Sequence, residues 1–141
     1  MKTHVYLEHA NITVNNLDTA VRFFQNAFPH FEVRGGGENN GRKWIHLGDA
    51  ITYLALNSRE GITRDFPERN YDKNGFNHIG FVVSDVHELA KRLLDAGYER
   101  SYPKQEEKFR IRDYFFDEDG NEYEFVQYLS ERNGERNYYD A

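Results

Sequence analysis

The chain has 141 residues, of which 38% are hydrophobic and 16% aromatic, with 18 basic against 24 acidic side chains for a net charge of -6. That length makes one domain with a real core the simplest reading, and the acidic balance argues against general nucleic-acid binding, which needs a positive footprint to displace phosphate counterions. With no cysteine, disulfides, thiolate nucleophiles, iron–sulfur clusters and zinc ribbons are excluded; no apolar run approaches a membrane span of ~20 residues and no signal-peptide core opens the chain, so a cytoplasmic protein with no membrane partner is expected.

Residues 5–14 alternate as a strand, and Asn16 or Asp18 can cap a helix over 18–28 whose apolar face is Ala20, Val21, Phe24 and Ala27. Phe31–Arg34 reads as a short strand and Gly35–Gly41 as a loop, since the glycines lack dinucleotide-binding spacing and precede no helix. Trp44–Leu47 and Ile51–Leu56 form a hairpin around Gly48-Asp49. After a polar linker, 58–75 with Pro67, the order repeats: strand Asn77–Val83, helix Asp85–Ala96 capped by Asp85 and stopped by Gly97, strand Tyr98–Tyr102, then Arg110–Phe116 and Glu122–Tyr128 about a turn at Asp117–Gly120. That turn is not a calcium loop, because its glycine comes two positions too early. The expected organisation is therefore one domain, 1–141, of two βαβββ modules (4–57 and 76–128) and a tail, 129–141. The tail is a candidate dimer arm or lid, with disorder the default for a polar terminus.

The repeat carries chemistry. His9 and His78 lie 69 residues apart, each opens an alternating apolar strand, and each has a valine five residues on. A duplicated histidine points to matching sites in two halves. Aligned through the hairpin turns, Tyr53 takes the place in the first module that Glu124 takes in the second. His9, His78 and Glu124 then make a facial triad with open positions on a divalent metal. Tyr53 is a poor fourth ligand, its phenol having a pKa near ~10, and is expected to line a pocket or the core. Arg110, Arg112 and Tyr114 share one strand face; if it faces the site, two arginines there would hold a carboxylate, phosphonate or enolate. If it faces outward they are solvated charges. Trp44 and His46 share another face as an opposite wall. Candidate general bases are Glu122 and His46, with Tyr53 or Tyr114 as hydrogen-bond donors. His4, His30 and His87 are expected at the surface.

The paired modules, the two strand-opening histidines and the run from Tyr114 to Asp119-Gly120 and Glu124 resemble the vicinal oxygen chelate superfamily over roughly residues 5–128. That group includes glyoxalase I, extradiol dioxygenases, fosfomycin-resistance enzymes and bleomycin-binding proteins. The resemblance implies an α+β fold in which the modules form a cupped, barrel-like mixed sheet around a metal held by His9, His78 and Glu124. Tyr53 departs from glyoxalase I, which generally has Glu or Gln at its non-histidine ligand positions. The three-ligand pattern is more like that of extradiol dioxygenases or manganese fosfomycin-resistance enzymes, so Fe2+ or Mn2+ is favoured over Zn2+ or Ni2+. Lys104 and Tyr114 fall near a lysine and a tyrosine of the latter group, but Glu106-Glu107-Lys108-Phe109 replaces its loop. His46 is the one candidate for the acid/base histidine that extradiol enzymes need. The implied protein is a homodimer acting on a small oxygenated or anionic molecule by lyase, dioxygenase or transferase chemistry. The alternative is a metal-free binding or sequestering protein of the bleomycin-resistance type.

Overall fold

The computed structural model describes residues 6–59 and 75–139. Pro67 with most of the expected linker, and His4, lie outside them. The chain divides into two compact units, Met1–Arg64 and Asp65–Ala141.

The first unit runs β1 (His9–Val14), α1 (Leu17–Ala27), β2 (Glu32–Asn39), β3 (Arg42–Gly48) and β4 (Tyr53–Ser58), in sheet order β1-β4-β3-β2. β1 and β4 are parallel and the other pairs antiparallel. Asn16 starts α1 by accepting from the Thr19 amide at 3.0 Å, satisfying one of the amides a helix start leaves without a partner. The period of the sequence then puts Ala20, Phe23, Phe24 and Ala27 in the core with Leu47, Leu54 and Leu56. Those sheet residues leave Trp44, His46, Tyr53 and His9 on the opposite face.

The glycine run is not a loop. Gly35, Gly36 and Gly37 lie inside β2 and pair with His46, Ile45 and Trp44 of β3. A Cβ on Gly36 would stand 2.8 Å from the Trp44 carbonyl oxygen, so the glycine permits a close backbone approach that a loop would not need. The turn comes later, at Asn40-Gly41, both with positive φ (51° and 79°), as a two-residue hairpin requires.

The second unit repeats the plan with β5 (His78–Val82), α2 (Val86–Asp95), β6 (Arg100–Glu106), β7 (Arg110–Phe116) and β8 (Glu122–Tyr128), in order β5-β8-β7-β6, then a short helix α3 (Asn133–Arg136). β5 and β8 are the parallel pair. Asp85 caps α2 through the Glu88 amide, and Val86, Leu89, Ala90 and Leu93 are buried with Phe115, Tyr123 and Phe125. Asp117 shapes the β7–β8 turn: its carboxylate accepts from the Asp119 and Asn121 amides, from Asn121 Nδ2 and from the Tyr123 hydroxyl. Burial lifts its pKa above the ordinary carboxylate range despite those donors. The chain is thus α+β, two four-stranded mixed sheets each with a helix against one face.

The tail packs on its own unit. Tyr138 meets Phe109 edge-on at 5.3 Å, Arg136 lies over Tyr128 at 4.4 Å and Arg110 over Tyr139 at 5.5 Å. Ser130 donates to Glu135 beneath α3.

Candidate functional site

Strand register corrects the internal alignment. His9 pairs with Tyr53 and His78 with Glu122, while Glu124 pairs with Gly80 and has Ala55 as its counterpart in the first unit. The counterpart of Tyr53 is Glu122, not Glu124. The shift is two residues, so both remain on the same face, which is why turn-based alignment conceals it. On β3 and β7, Trp44 and His46 correspond to Arg112 and Tyr114, through their partners Asn57 and Ala55, Val126 and Glu124.

The face of the second sheet away from α2 gathers His78, Glu122, Glu124, Tyr114, Arg112 and Arg110. His78 Nε2 lies 3.0 Å from Glu124 Oε2, and His78 Nδ1 lies 2.6 Å from Asn77 Oδ1 and 3.7 Å from Glu122 Oε1. Asn77 Oδ1 therefore sits against one ring nitrogen of His78 and Glu124 Oε2 against the other, which fixes the plane of the imidazole. The 3.0 Å contact brings the two side chains together on one face of the sheet. An imidazole and a carboxylate are also a donor set that divalent metals accept. Among the described residues no three of His, Asp and Glu gather as a metal-holding group; the second unit supplies a fitting pair.

Beside that pair, Glu107 in the β6–β7 turn accepts from Arg110 Nε at 2.6 Å and from Arg112 Nε and Nη2 at 3.1 and 2.9 Å. Burial alone would raise the Glu107 pKa, but the two guanidiniums outweigh it and hold the carboxyl below its ordinary range. Burial likewise works against the Arg112 charge and is outweighed by Glu107, Tyr114 and Glu124.

The first unit has no carboxylate at the position of Glu124. Its face is a ladder of rings: Trp44 to His46 at 5.0 Å, His46 to Tyr53 at 4.6 Å, Tyr53 to His9 at 4.7 Å, with Arg34 4.3 Å above Tyr53. Glu8 Oε1 lies 2.9 Å from His9 Nδ1 and accepts from the Tyr53 hydroxyl at 3.3 Å. Burial first, then the Glu8 charge, pushes the Tyr53 pKa up, so the phenol stays protonated and donates. The expected surface histidines His30 and His87 are exposed, and Lys104 lies 2.9 Å from His87.

Sequence reasoning missed Glu8, Asn77 and the arginine-bridging role of Glu107. The first two had a signal. In both copies the residue directly before the histidine is a side-chain acceptor, and in both it lies against Nδ1. Metal-ligating histidines are commonly oriented this way through the other ring nitrogen.

A family model described as the Glyoxalase/Bleomycin resistance protein/Dioxygenase superfamily matches residues 6–125. No curated protein matches the sequence. Among solved structures, a glyoxylase/bleomycin resistance protein/dioxygenase domain from Frankia sp. EAN1pec is 22% identical with a TM-score of 0.73, covering 89% of this chain and 99% of that one. A glyoxalase family protein from Bacillus cereus is 18% identical with a TM-score of 0.74, covering 92% and 97%. A mutant of the fosfomycin resistance protein FosX from Listeria monocytogenes, complexed with Mn(II) and 1S,2S-dihydroxypropylphosphonic acid, is 19% identical with a TM-score of 0.68, covering 95% and 98%. At these identities the likeness is one of fold. No described helix is long and apolar enough to cross a membrane.

Proposed function

The chain belongs to the Glyoxalase/Bleomycin resistance protein/Dioxygenase superfamily, and from that membership we propose that it is a divalent-metal-dependent enzyme acting on a small oxygenated or anionic molecule. His78 and Glu124, both in the second unit, are two of the metal ligands. The observation that supports this reading is the juxtaposition of an imidazole and a carboxylate, His78 Nε2 and Glu124 Oε2, 3.0 Å apart with Nδ1 against Asn77. Glu8 does for His9 what Asn77 does for His78. A divalent ion held by these residues would supply Lewis-acid polarisation of a substrate oxygen.

The chain's own residues do the rest. Arg110 is the guanidinium of this face proposed to meet an anionic group of the substrate, with Glu107 fixing its fork through Nε. Glu122, 11% exposed and near His78, is the proposed proton acceptor. On the first unit, His46, Tyr53 and Trp44 offer a ring surface suited to stacking. The reaction is of the lyase, dioxygenase or transferase type, and the ion is Fe2+ or Mn2+ in preference to Zn2+ or Ni2+; the Mn(II) in the FosX structure supports the manganese option.

Elemental mass spectrometry of untagged protein tests this. About one iron or manganese per chain is expected, or stoichiometric uptake when metals are supplied. A protein that neither carries nor takes up metal would instead be a binding or sequestering protein, a reading favoured by the four-ring ladder and Arg34 on the first unit. A homodimer is also proposed; sedimentation equilibrium returning a single chain mass at micromolar concentration would count against it.

A further inference from the structure

Glu124 has two carboxylate oxygens in different surroundings. Oε1 accepts from the Tyr114 hydroxyl at 3.0 Å and lies 3.5 Å from Arg112 Nη1. Arg112 Nη1 itself donates to the Tyr114 oxygen at 2.9 Å, and Glu107 anchors Nε and Nη2 of the same guanidinium. The donors around Oε1 are therefore tied to one another and, through Glu107, to the β6–β7 turn. Oε2 has no such enclosure. It faces His78 Nε2, and directly across the β5–β8 ladder is Gly80, where an added Cβ would stand 3.7 Å from Oε2. A larger residue at that position would extend into the space beside both side chains.

We propose that Tyr114 and Arg112 are positioning residues for the metal: they hold Glu124 Oε1 out of the ligand set, so that the carboxylate serves through Oε2 alone. This rests on the metal reading above. It assigns the Tyr114 hydroxyl and Arg112 Nη1 to the protein's own carboxylate rather than to substrate. The physical reason is preorganisation. A glutamate with both oxygens loose can rotate and chelate through both, closing a position that substrate needs; donors on one oxygen fix the rotamer and leave the other aimed. Glu107 completes the device by fixing the guanidinium plane.

The test is Mn(II) titration of metal-free protein followed by electron paramagnetic resonance, comparing wild type, Tyr114→Phe and Glu124→Ala. Phenylalanine keeps the ring beside Tyr102 and His78 and removes only the hydroxyl. Tyr114→Phe is expected to weaken Mn(II) binding by about 10–100-fold, the range typical of outer-shell substitutions. Its bound-ion spectrum should also differ from that of wild type because Oε1 joins the ion. A purely structural role would not produce that spectral change. A loss smaller than about tenfold, or an unchanged spectrum, overturns the proposal while wild-type binding abolished by Glu124→Ala leaves the metal reading standing. A wild type blind to Mn(II) overturns both. Should Tyr114→Phe lose its far-UV circular dichroism, Arg112→Lys asks the same question at the other donor.

Discussion

Arg100→Ala is expected to lower the unfolding free energy by roughly 3–5 kcal/mol, the cost of leaving a buried charge without its partner. An exposed arginine on a surface strand ordinarily changes stability by no more than about 0.5 kcal/mol, so the two expectations are far apart. The difference comes from Asp113, which is fully buried on the face of β7 that packs under α2. Its two oxygens accept from Arg100 Nε and Nη2, both at 2.9 Å, and Oδ1 also accepts the Tyr114 amide. Removing Arg100 leaves that carboxylate enclosed between Phe115 and the helix with one amide donor to compensate it. Asp113→Ala is expected to cost less, because the stranded guanidinium is 33% exposed and can turn to water. Replacing both by apolar residues of similar size is expected to cost least of all. Urea unfolding of the three variants gives the ranking, and Arg100→Ala proving the mildest would refute this account. Asp113 lies between Arg112 and Tyr114 in β7, so the bridge that stabilises the sheet also fixes the strand carrying both.

Much of the fold was legible because the sequence alternates with strand and helix periods that its burial obeys. The boundaries of β7 and β8 were read correctly, and so were the caps at Asn16 and Asp85, where a side-chain acceptor precedes an amphipathic run. The glycine run failed for a physical reason. Glycine in sequence signals either a turn or a close approach of two backbones, and only the partner strand distinguishes them. Here Trp44 across the ladder made it the second. The signal for the true turn, Asn40-Gly41, stood four residues away. The tail's four-residue helix is too short to show a period, and the tyrosines after it, Tyr138 and Tyr139, pack on Phe109 and Arg110, nearly thirty residues back.

The chemistry was legible residue by residue but not in its pairing. His78, Glu124, Tyr114, Arg112 and Glu122 were all singled out, and they do share one face. What sequence could not give was which atom meets which. Glu124 aligned with Tyr53 by turn length aligns with Ala55 by register, because a two-residue slip preserves the face and so leaves the hydrophobic pattern unchanged. Glu107, read only as part of a departure from a known loop, turns out to bridge both arginines.

Glu124→Ala is expected to reduce divalent-metal affinity by more than about 100-fold, beyond the range that outer-shell changes reach. Glu124 Oε2 is the carboxylate oxygen that meets His78 Nε2, so alanine removes that ligand outright. The consequence extends to stability. A metal that binds only the folded state adds RT ln(1 + [L]/Kd), about 2.7 kcal/mol when the ion is present at 100 times its Kd. Wild type should therefore unfold at a higher temperature with Mn(II) than with chelator, and Glu124→Ala should unfold at the same temperature in both. The metal-free proteins give the complementary comparison. In wild type without metal, Glu124 still accepts from Tyr114 and balances Arg112, so alanine removes an ion-pair partner of the guanidinium and an acceptor of the hydroxyl. The variant is then expected to be less stable than wild type by about 1–3 kcal/mol, the usual cost of orphaning a partly buried polar group. Differential scanning fluorimetry of both proteins, with and without Mn(II), separates the two contributions. A metal-dependent rise of equal size in wild type and variant would remove Glu124 from the ligand set, because an ion held equally well without that carboxylate is not held by it.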